Sequence, residues 1–265
     1  DKVFKTQLGF TDGVKTEFIV GNEKNQITEL VASAGKSEDF GKNIDIEFLS
    51  TRAFNHFHDP LKDWDEAGLD SVVNIPYVGR YRRSPVFLIL WGLDPERQDF
   101  PENETGDWSW GRARECYFAY LNGRDFEGNE VAGTDAERSE RFADCFRALG
   151  QTMHLLQDAS VPLHTRNDVH FPLANYETYT KKKFEHLDYE PDRPGDRPSS
   201  DLWNAPRPDP GFARLVPASG LFDRNLYDGT SMPAADAPVG LAEYSNAKLS
   251  IENTDQSKMT NLFGV

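Results

Sequence analysis

Residues 134–164 read TDAERSERFADCFRALGQTMHLLQDASVPLH, and this stretch decides the fold. Thr134 is followed three positions later by Glu137, the pair typical of a capping box at the start of a helix. Because Pro162 cannot continue a helix, we predict that this one ends near Ala159. Between these limits apolar side chains recur at the spacing of an α-helix. They are Phe142, Cys145, Leu149, Met153 and Leu156.

Helical spacing also appears in other parts of the chain, whereas few segments alternate with period two. We therefore predict an all-α or mainly α fold, a multi-helix single domain over residues 1–265. A proline-rich segment, residues 191–218, is expected to form an irregular arm or lid. The further predicted helices are 27–34 (ended by Gly35), about 111–121 (with Ser109 as N-cap), 177–187 and about 239–249.

Composition and charge limit the classes of partner. The 265 residues, 30.0 kDa, can bury a full core, but the formal net charge is -15. Such a charge repels a phosphate backbone, so stable nucleic-acid binding is not expected, although bound divalent ions would invert the field locally. No apolar run approaches the ~20 residues of a transmembrane helix.

The start of the chain and its cysteines bear on the compartment. The sequence begins at Asp1 without Met or a signal peptide, and we interpret it as trimmed from a longer chain, which leaves export open. Cys116 and Cys145 fall in two separate helical patterns. Two buried thiols are favoured, and a disulfide in an oxidising compartment stays an alternative.

Five of the six histidines fall in two short clusters that also carry carboxylates, residues 54–60 and 154–170. His154 and Asp158 are four positions apart, so on a helix their Cβ atoms lie roughly 5–6 Å apart on one face. That spacing suits two ligands of one ion. A set of nitrogen and oxygen donors without thiolates is typical of catalytic zinc. The alternative is an ordinary buried histidine and a helix-end carboxylate. Gly150, one turn earlier, leaves room for another element or a metal to approach.

These motifs resemble a known family. The pattern His154-x-x-x-Asp158-x-x-x-Pro162-x-His164 is similar to the signature of the bacterial zinc-dependent phospholipase C superfamily, which includes the fungal single-strand-specific zinc nucleases. The segment NHFHDP, residues 55–60, resembles the "His-Phe-Tyr-Asp-Pro" of the phospholipases. The sequence NYE at 175–177 resembles the "Tyr-Glu" that supplies their last carboxylate, and residues 37–39 stand where that branch carries an acidic residue.

The resemblance implies a role for each matching residue. His56, His154 and Asp158 would hold one zinc, with Asp158 bridging towards another. Asp39 would be the unligated carboxylate that orients or deprotonates the attacking water. His58 has no counterpart among the ligands, which favours a supporting or structural role. The ligands of a second zinc would be His164, His170 and Glu177.

The chain departs from the family pattern in three places. The family begins with a tryptophan whose amino group binds metal and has an early histidine, whereas this chain has Asp1 and no histidine before His56. Two zinc ions are therefore expected here, and a third if upstream residues are present. The phospholipases have their last histidine ligand four residues before the glutamate, and in this chain Leu173 occupies that position. His170, seven residues before Glu177, is therefore inferred to be the ligand in its place. The nuclease branch's glycine-rich segment and His-x-x-Trp-Asp ending are absent, which favours the phospholipase-like branch.

The expected function is zinc-dependent hydrolysis of a phosphodiester, phospholipid or other, by an activated water. Phe57, Phe171 and Tyr176, with Phe54, are candidates to line a substrate pocket, although plain core packing is the favoured alternative. The family implies an extracellular, periplasmic or cell-envelope location. Two other functions stay open: a single-strand nuclease or nucleotidase on the same metal core, and a non-catalytic metal-stabilised module of a larger surface protein.

Overall fold

The computed structural model describes residues 1–20, 22–40, 52–69, 73–75, 79–81, 88–98, 107–167, 217–230 and 239–252. Within these ranges the chain is mainly α-helical, as predicted. The strands form two antiparallel hairpins, β1 (Glu17–Val20) with β2 (Glu23–Gln26) and β3 (Val73–Ile75) with β4 (Gly79–Tyr81). The α-helices are α1 (Lys2–Thr6), α2 (Ile27–Phe40), α3 (Leu88–Leu93), α4 (Trp110–Asn122), α5 (Asp135–Asp158), α6 (Ser219–Phe222) and α7 (Leu241–Glu252).

Helix α5 begins and ends where the sequence predicts. Glu137 N–H donates to Thr134 Oγ1 at 3.2 Å, and Thr134 N–H donates to Glu137 Oε2 at 2.8 Å, which completes the capping box. The helix ends at Asp158, and the chain then turns through Pro162 into a short 3₁₀ helix, His164–Arg166. The last two turns of this 24-residue helix therefore lie next to the segment that contains His164.

Helix α4 also follows its prediction. Ser109 Oγ accepts the N–H of Arg112 at 3.2 Å, so Ser109 is the N-cap. Gly123 ends the helix in the left-handed conformation, with φ 73°. Cys116 on α4 and Cys145 on α5 are both buried and free, which confirms the interpretation as two buried thiols.

Helix α2 is longer than predicted, because it continues through Gly35 to Phe40. The predicted end at Gly35 is therefore wrong. A glycine inside a helix costs only about 1 kcal/mol relative to alanine, and packing of an apolar helical face outweighs that cost. Ile27, Leu30 and Ala34 are buried before the glycine and Glu38 is buried after it, so the packed face of the helix continues past Gly35.

Two apolar clusters form the core around α5. The first surrounds its N-terminal part and includes Phe18, Phe142 and Phe146. The second, around its C-terminal part, includes Trp91 and Leu155. Leu88, Ile89 and Trp91 are buried, so the described part of the apolar run 85–91 is a buried element, as expected.

Several predictions concern residues outside the described ranges. These are the helix at 177–187 and nearly all of the arm at 191–218. The last predicted helix is present as α7, which begins at Leu241 rather than Val239 and extends to Glu252. No helix among the described residues has the length and apolar character that a membrane span requires.

Candidate metal centre

Three of the predicted zinc ligands meet at the C-terminal end of α5. His154 and Asp158 lie on the last two turns of the helix, and His56 follows the 3₁₀ helix Arg52–Asn55. One potential ligand atom from each residue lies within 4.8 Å of the other two. His56 Nδ1 is 2.9 Å from Asp158 Oδ2, and His154 Nε2 is 3.3 Å from the same oxygen. The sequence motif and the tertiary contact thus select the same residues.

The environment of Asp158 fits a cation. Its Oδ2 atom is buried and has no hydrogen bond of acceptable geometry among the described residues. Yet His56, His154 and His164 each place a ring nitrogen within 4 Å of it. A buried carboxylate oxygen that lacks a well-aligned hydrogen bond costs free energy, and a cation bound by the oxygen and the imidazoles would remove that cost.

The ionisation of Asp158 also suits a metal ligand. Burial alone would raise its pKa, but the charge of His164 and the close approach of His154 and His56 outweigh burial. The pKa of Asp158 is therefore held well below its ordinary value. A carboxylate must be deprotonated to bind a metal, and this environment favours that form.

His56 lies between two carboxylates. Opposite Asp158, the His56 Nε2 atom is 3.4 Å from Oε1 of Glu38, whose side chain is fully buried. Burial would raise the pKa of Glu38, but Arg52 and then His56 lower it to about 2. Glu38 is thus ionised beside the imidazole, and the His56 ring has a negative charge near each nitrogen.

Glu38 is not among the site residues predicted from the sequence, although the spacing of buried residues on α2 points to it. Ile27, Leu30, Ala34 and Glu38 are spaced three, four and four positions apart, so they share one face of α2. This pattern is visible only when the helix is extended beyond Gly35. The side chain of Asp39, the predicted catalytic carboxylate, lies outside the described residues.

His164 lies next to this group with a defined ring orientation. Its Nδ1 is 2.9 Å from the carbonyl oxygen of His56, which can only accept a hydrogen bond. Nδ1 therefore carries the proton, and in the neutral ring Nε2 has the lone pair that a metal requires. The other predicted ligands of a second zinc, His170 and Glu177, lie outside the described residues, as do Phe171 and Tyr176.

The aromatic residues near His56 are packed inside the protein. Phe57 is buried and stacks on His164, with ring centroids 4.9 Å apart and an interplanar angle of 7°. Phe54 is also buried. In the described structure, Phe57 supports a predicted metal ligand through this stacking contact.

His58 has a separate buried partner. Its Nε2 lies 2.7 Å from Oδ2 of Asp223, which also accepts from Trp64 Nε1 at 3.0 Å. The backbone N–H of His58 donates to the carbonyl of His164 at 3.0 Å. His58 thus connects the segment that contains His56 both to residues 217–230, through Asp223, and to the turn that contains His164.

A groove of about 280 Å³ runs beside His154 between α2 and α5. Its apolar side includes Val31 and Met153, and Lys36 and Gln157 also line it. His154 is the partly exposed member of the three residues, whereas His56 and Asp158 are buried. Among the described residues, solvent can therefore reach the edge of the centre at His154 through this groove.

Taken as a whole, the group offers two imidazoles and one carboxylate to a single ion, with a third imidazole adjacent. Three protein ligands with nitrogen and oxygen donors would leave a bound divalent ion with at least one further coordination position. Comparison of the chain with family models, curated proteins and solved structures gives no match.

Proposed function

We propose that this protein is a zinc-dependent hydrolase of phosphodiester bonds, similar to the phospholipase C enzymes that its motifs resemble. The observation that carries the proposal is the convergence of His56 and His154 on the buried Oδ2 of Asp158. These three residues would hold the ion. A ligand set of histidine nitrogens and a carboxylate oxygen, without thiolates, is typical of zinc in hydrolytic sites.

When bound, zinc supplies Lewis-acid chemistry: it polarises a phosphoryl oxygen and lowers the pKa of water. The chain's own residues hold and orient that ion. Glu38 lies against Nε2 of His56 and leaves Nδ1 towards Asp158, so the ring is fixed between them. Burial of His56 and Asp158 excludes water from one side, and the groove beside His154 admits a substrate from the other.

The resemblance supplies the rest of the proposal. Asp39 is the proposed carboxylate that takes a proton from the attacking water. His164, with His170 and Glu177, is the proposed ligand set of a second ion. The orientation of His164, with Nδ1 donating to a carbonyl, supports its assignment.

Burial of the centre favours one other candidate, a metal-stabilised module without catalysis. Closed, water-free sites are typical of structural zinc. Against it, the described ligand set contains only three residues and His154 faces the groove.

A matched pair of buried aspartates tests the proposal. Asp158→Asn and Asp223→Asn each remove one carboxylate that lies against histidine, but only Asp158 belongs to the proposed centre. We expect the Asp158→Asn protein to lose zinc and hydrolysis of a chromogenic phosphocholine ester. The Asp223→Asn protein should be less stable yet keep its zinc. Metal analysis after dialysis and a steady-state assay measure both.

The same assay separates the candidates. Turnover of single-stranded DNA or a nucleoside monophosphate in place of the ester would replace the phospholipase-like assignment with a nuclease or nucleotidase. Zinc binding without turnover of any of the three would leave the structural module. A wild-type protein without zinc, or an Asp158→Asn protein that retains it, would refute the proposed metal site.

A further inference from the structure

Arg52 occupies a buried position beside the metal centre. Its Nη2 lies 2.6 Å from Glu38 Oε2, 2.7 Å from Gln151 Oε1 and 3.1 Å from Gln98 Oε1. Its guanidinium carbon is 4.8 Å from the centroid of the Trp91 ring. A buried arginine with this many partners has one fixed orientation, since each alternative rotamer would lose charge-assisted hydrogen bonds.

The two carboxylate oxygens of Glu38 are divided between different partners. Oε2 faces Arg52, whereas Oε1 accepts from Trp91 Nε1 at 2.6 Å and lies 3.4 Å from His56 Nε2. The plane of the carboxylate is therefore set by Arg52 and Trp91 together. This leaves Oε1 directed towards the His56 ring.

We propose that Arg52 is a positioning residue of the metal centre, which acts through Glu38 and His56. Arg52 holds the Glu38 carboxylate 3.4 Å from Nε2 of His56, where a small shift of the ring would let Nε2 donate its proton to Oε1, and His56 then presents Nδ1 to the ion beside Asp158. A carboxylate behind a ligating histidine fixes its tautomer and increases its basicity, and loss of such a partner typically weakens metal affinity by about 10–100-fold. The inference rests on the metal site of the proposed function, and it is independent of the hydrolytic reaction.

A purely structural role is the competing explanation. Arg52 joins α2, the turn around Gln98 and α5, so its loss would destabilise the fold in either case. Stability alone therefore does not distinguish the two roles. Zinc affinity in protein that is still folded does, together with the absorption spectrum of bound Co²⁺, which reports the geometry and identity of the ligands.

Three substitutions make the test specific. Arg52→Met removes the charge and the donors, Arg52→Lys keeps the charge without the planar fork, and Glu38→Gln keeps the shape of the carboxylate without its charge. Phe142→Leu is the control, because it loosens the first core cluster and lies 12 residues before His154, roughly 18 Å along α5. Zinc Kd is measured by competition with a chromophoric chelator at a temperature where circular dichroism shows each variant to be folded.

We expect Arg52→Met and Glu38→Gln to raise Kd by about 10–100-fold and to alter the Co²⁺ spectrum. Arg52→Lys should recover part of the affinity, and Phe142→Leu should leave Kd unchanged. If Arg52→Met does not fold, Arg52→Lys and Glu38→Gln decide. A wild-type Kd in the folded Arg52 and Glu38 variants would overturn this inference alone. Absence of zinc binding by the wild type would overturn it together with the proposed function, whereas binding without hydrolysis would refute only the latter.

Discussion

Charge balance at the scale of single residues favours a cation in the centre. Glu38 and Asp158 bring two buried negative charges, and Arg52 brings one positive charge. A buried charge without compensation is costly, so one further positive charge is needed. A divalent ion more than supplies it, because its two charges would change the net charge of the group from -1 to +1 with neutral imidazoles. The same residues therefore define two states, which metal analysis distinguishes.

The buried thiols give a prediction on pH. Burial raises the pKa of Cys116 to about 11 and that of Cys145 to about 12. Because only thiolates react, and the folded pKa exceeds the ordinary value of about 8.5, both thiols should be nearly inert to Ellman's reagent at about pH 8. In guanidinium chloride the reagent should detect both thiols. Rapid labelling of native protein would contradict the burial, and absence of thiols in denaturant would indicate a disulfide.

At the scale of elements, the centre depends on the close approach of α2 and α5. A Cβ on Gly150 would overlap the carbonyl oxygen of Val31 and lie 2.9 Å from the Cβ of Ala34. Gly150 therefore permits the helices to pack at this distance. A Cβ on Gly35, from the facing helix, would make only ordinary contacts, 3.6 Å from the Gly150 carbonyl oxygen. The close approach of α2 and α5 therefore requires a glycine at position 150 but not at position 35.

This asymmetry gives a matched pair of substitutions. Gly150→Ala should destabilise the protein by about 1–3 kcal/mol, since the new methyl group meets backbone that must move. Gly35→Ala should be neutral or stabilise the protein by up to about 1 kcal/mol, because alanine is the better helix former. Urea denaturation in the presence of a chelator measures both free energies of unfolding. Equal effects of the two substitutions would contradict the described packing.

At the scale of the whole molecule, the centre joins parts of the chain that are distant in sequence. His56 is about 100 residues from His154 and Asp158, and Glu38 adds α2 to the same group. The unfolded chain does not hold these ligands together, so metal binding should stabilise the folded state. Among the described residues, the centre lies beside the second core cluster, which includes Leu155.

Addition of zinc should therefore raise the melting temperature of chelator-treated protein. At a free zinc concentration of about 100 times Kd, linkage predicts roughly 2.7 kcal/mol of stabilisation. For a chain of this size that corresponds to an increase of about 5–10 °C. A thermal shift titration with zinc, with magnesium as the control ion, measures the effect. No shift with zinc, or an equal shift with magnesium, would contradict a selective site of nitrogen and oxygen ligands.

Local sequence features determined the limits of α5 and the placement of two residues of the centre. The capping box at Thr134, the helical period of α5 and the stop before Pro162 are properties of neighbouring residues, and they placed His154 and Asp158 on one face. Only the tertiary structure decided the length of α2 and the place of Glu38, because packing against α5 outweighs the weak helix propensity of Gly35. Likewise, only folding brought His56 and Arg52 to the end of α5, since contacts across about 100 residues depend on the packing of whole elements and leave no local pattern.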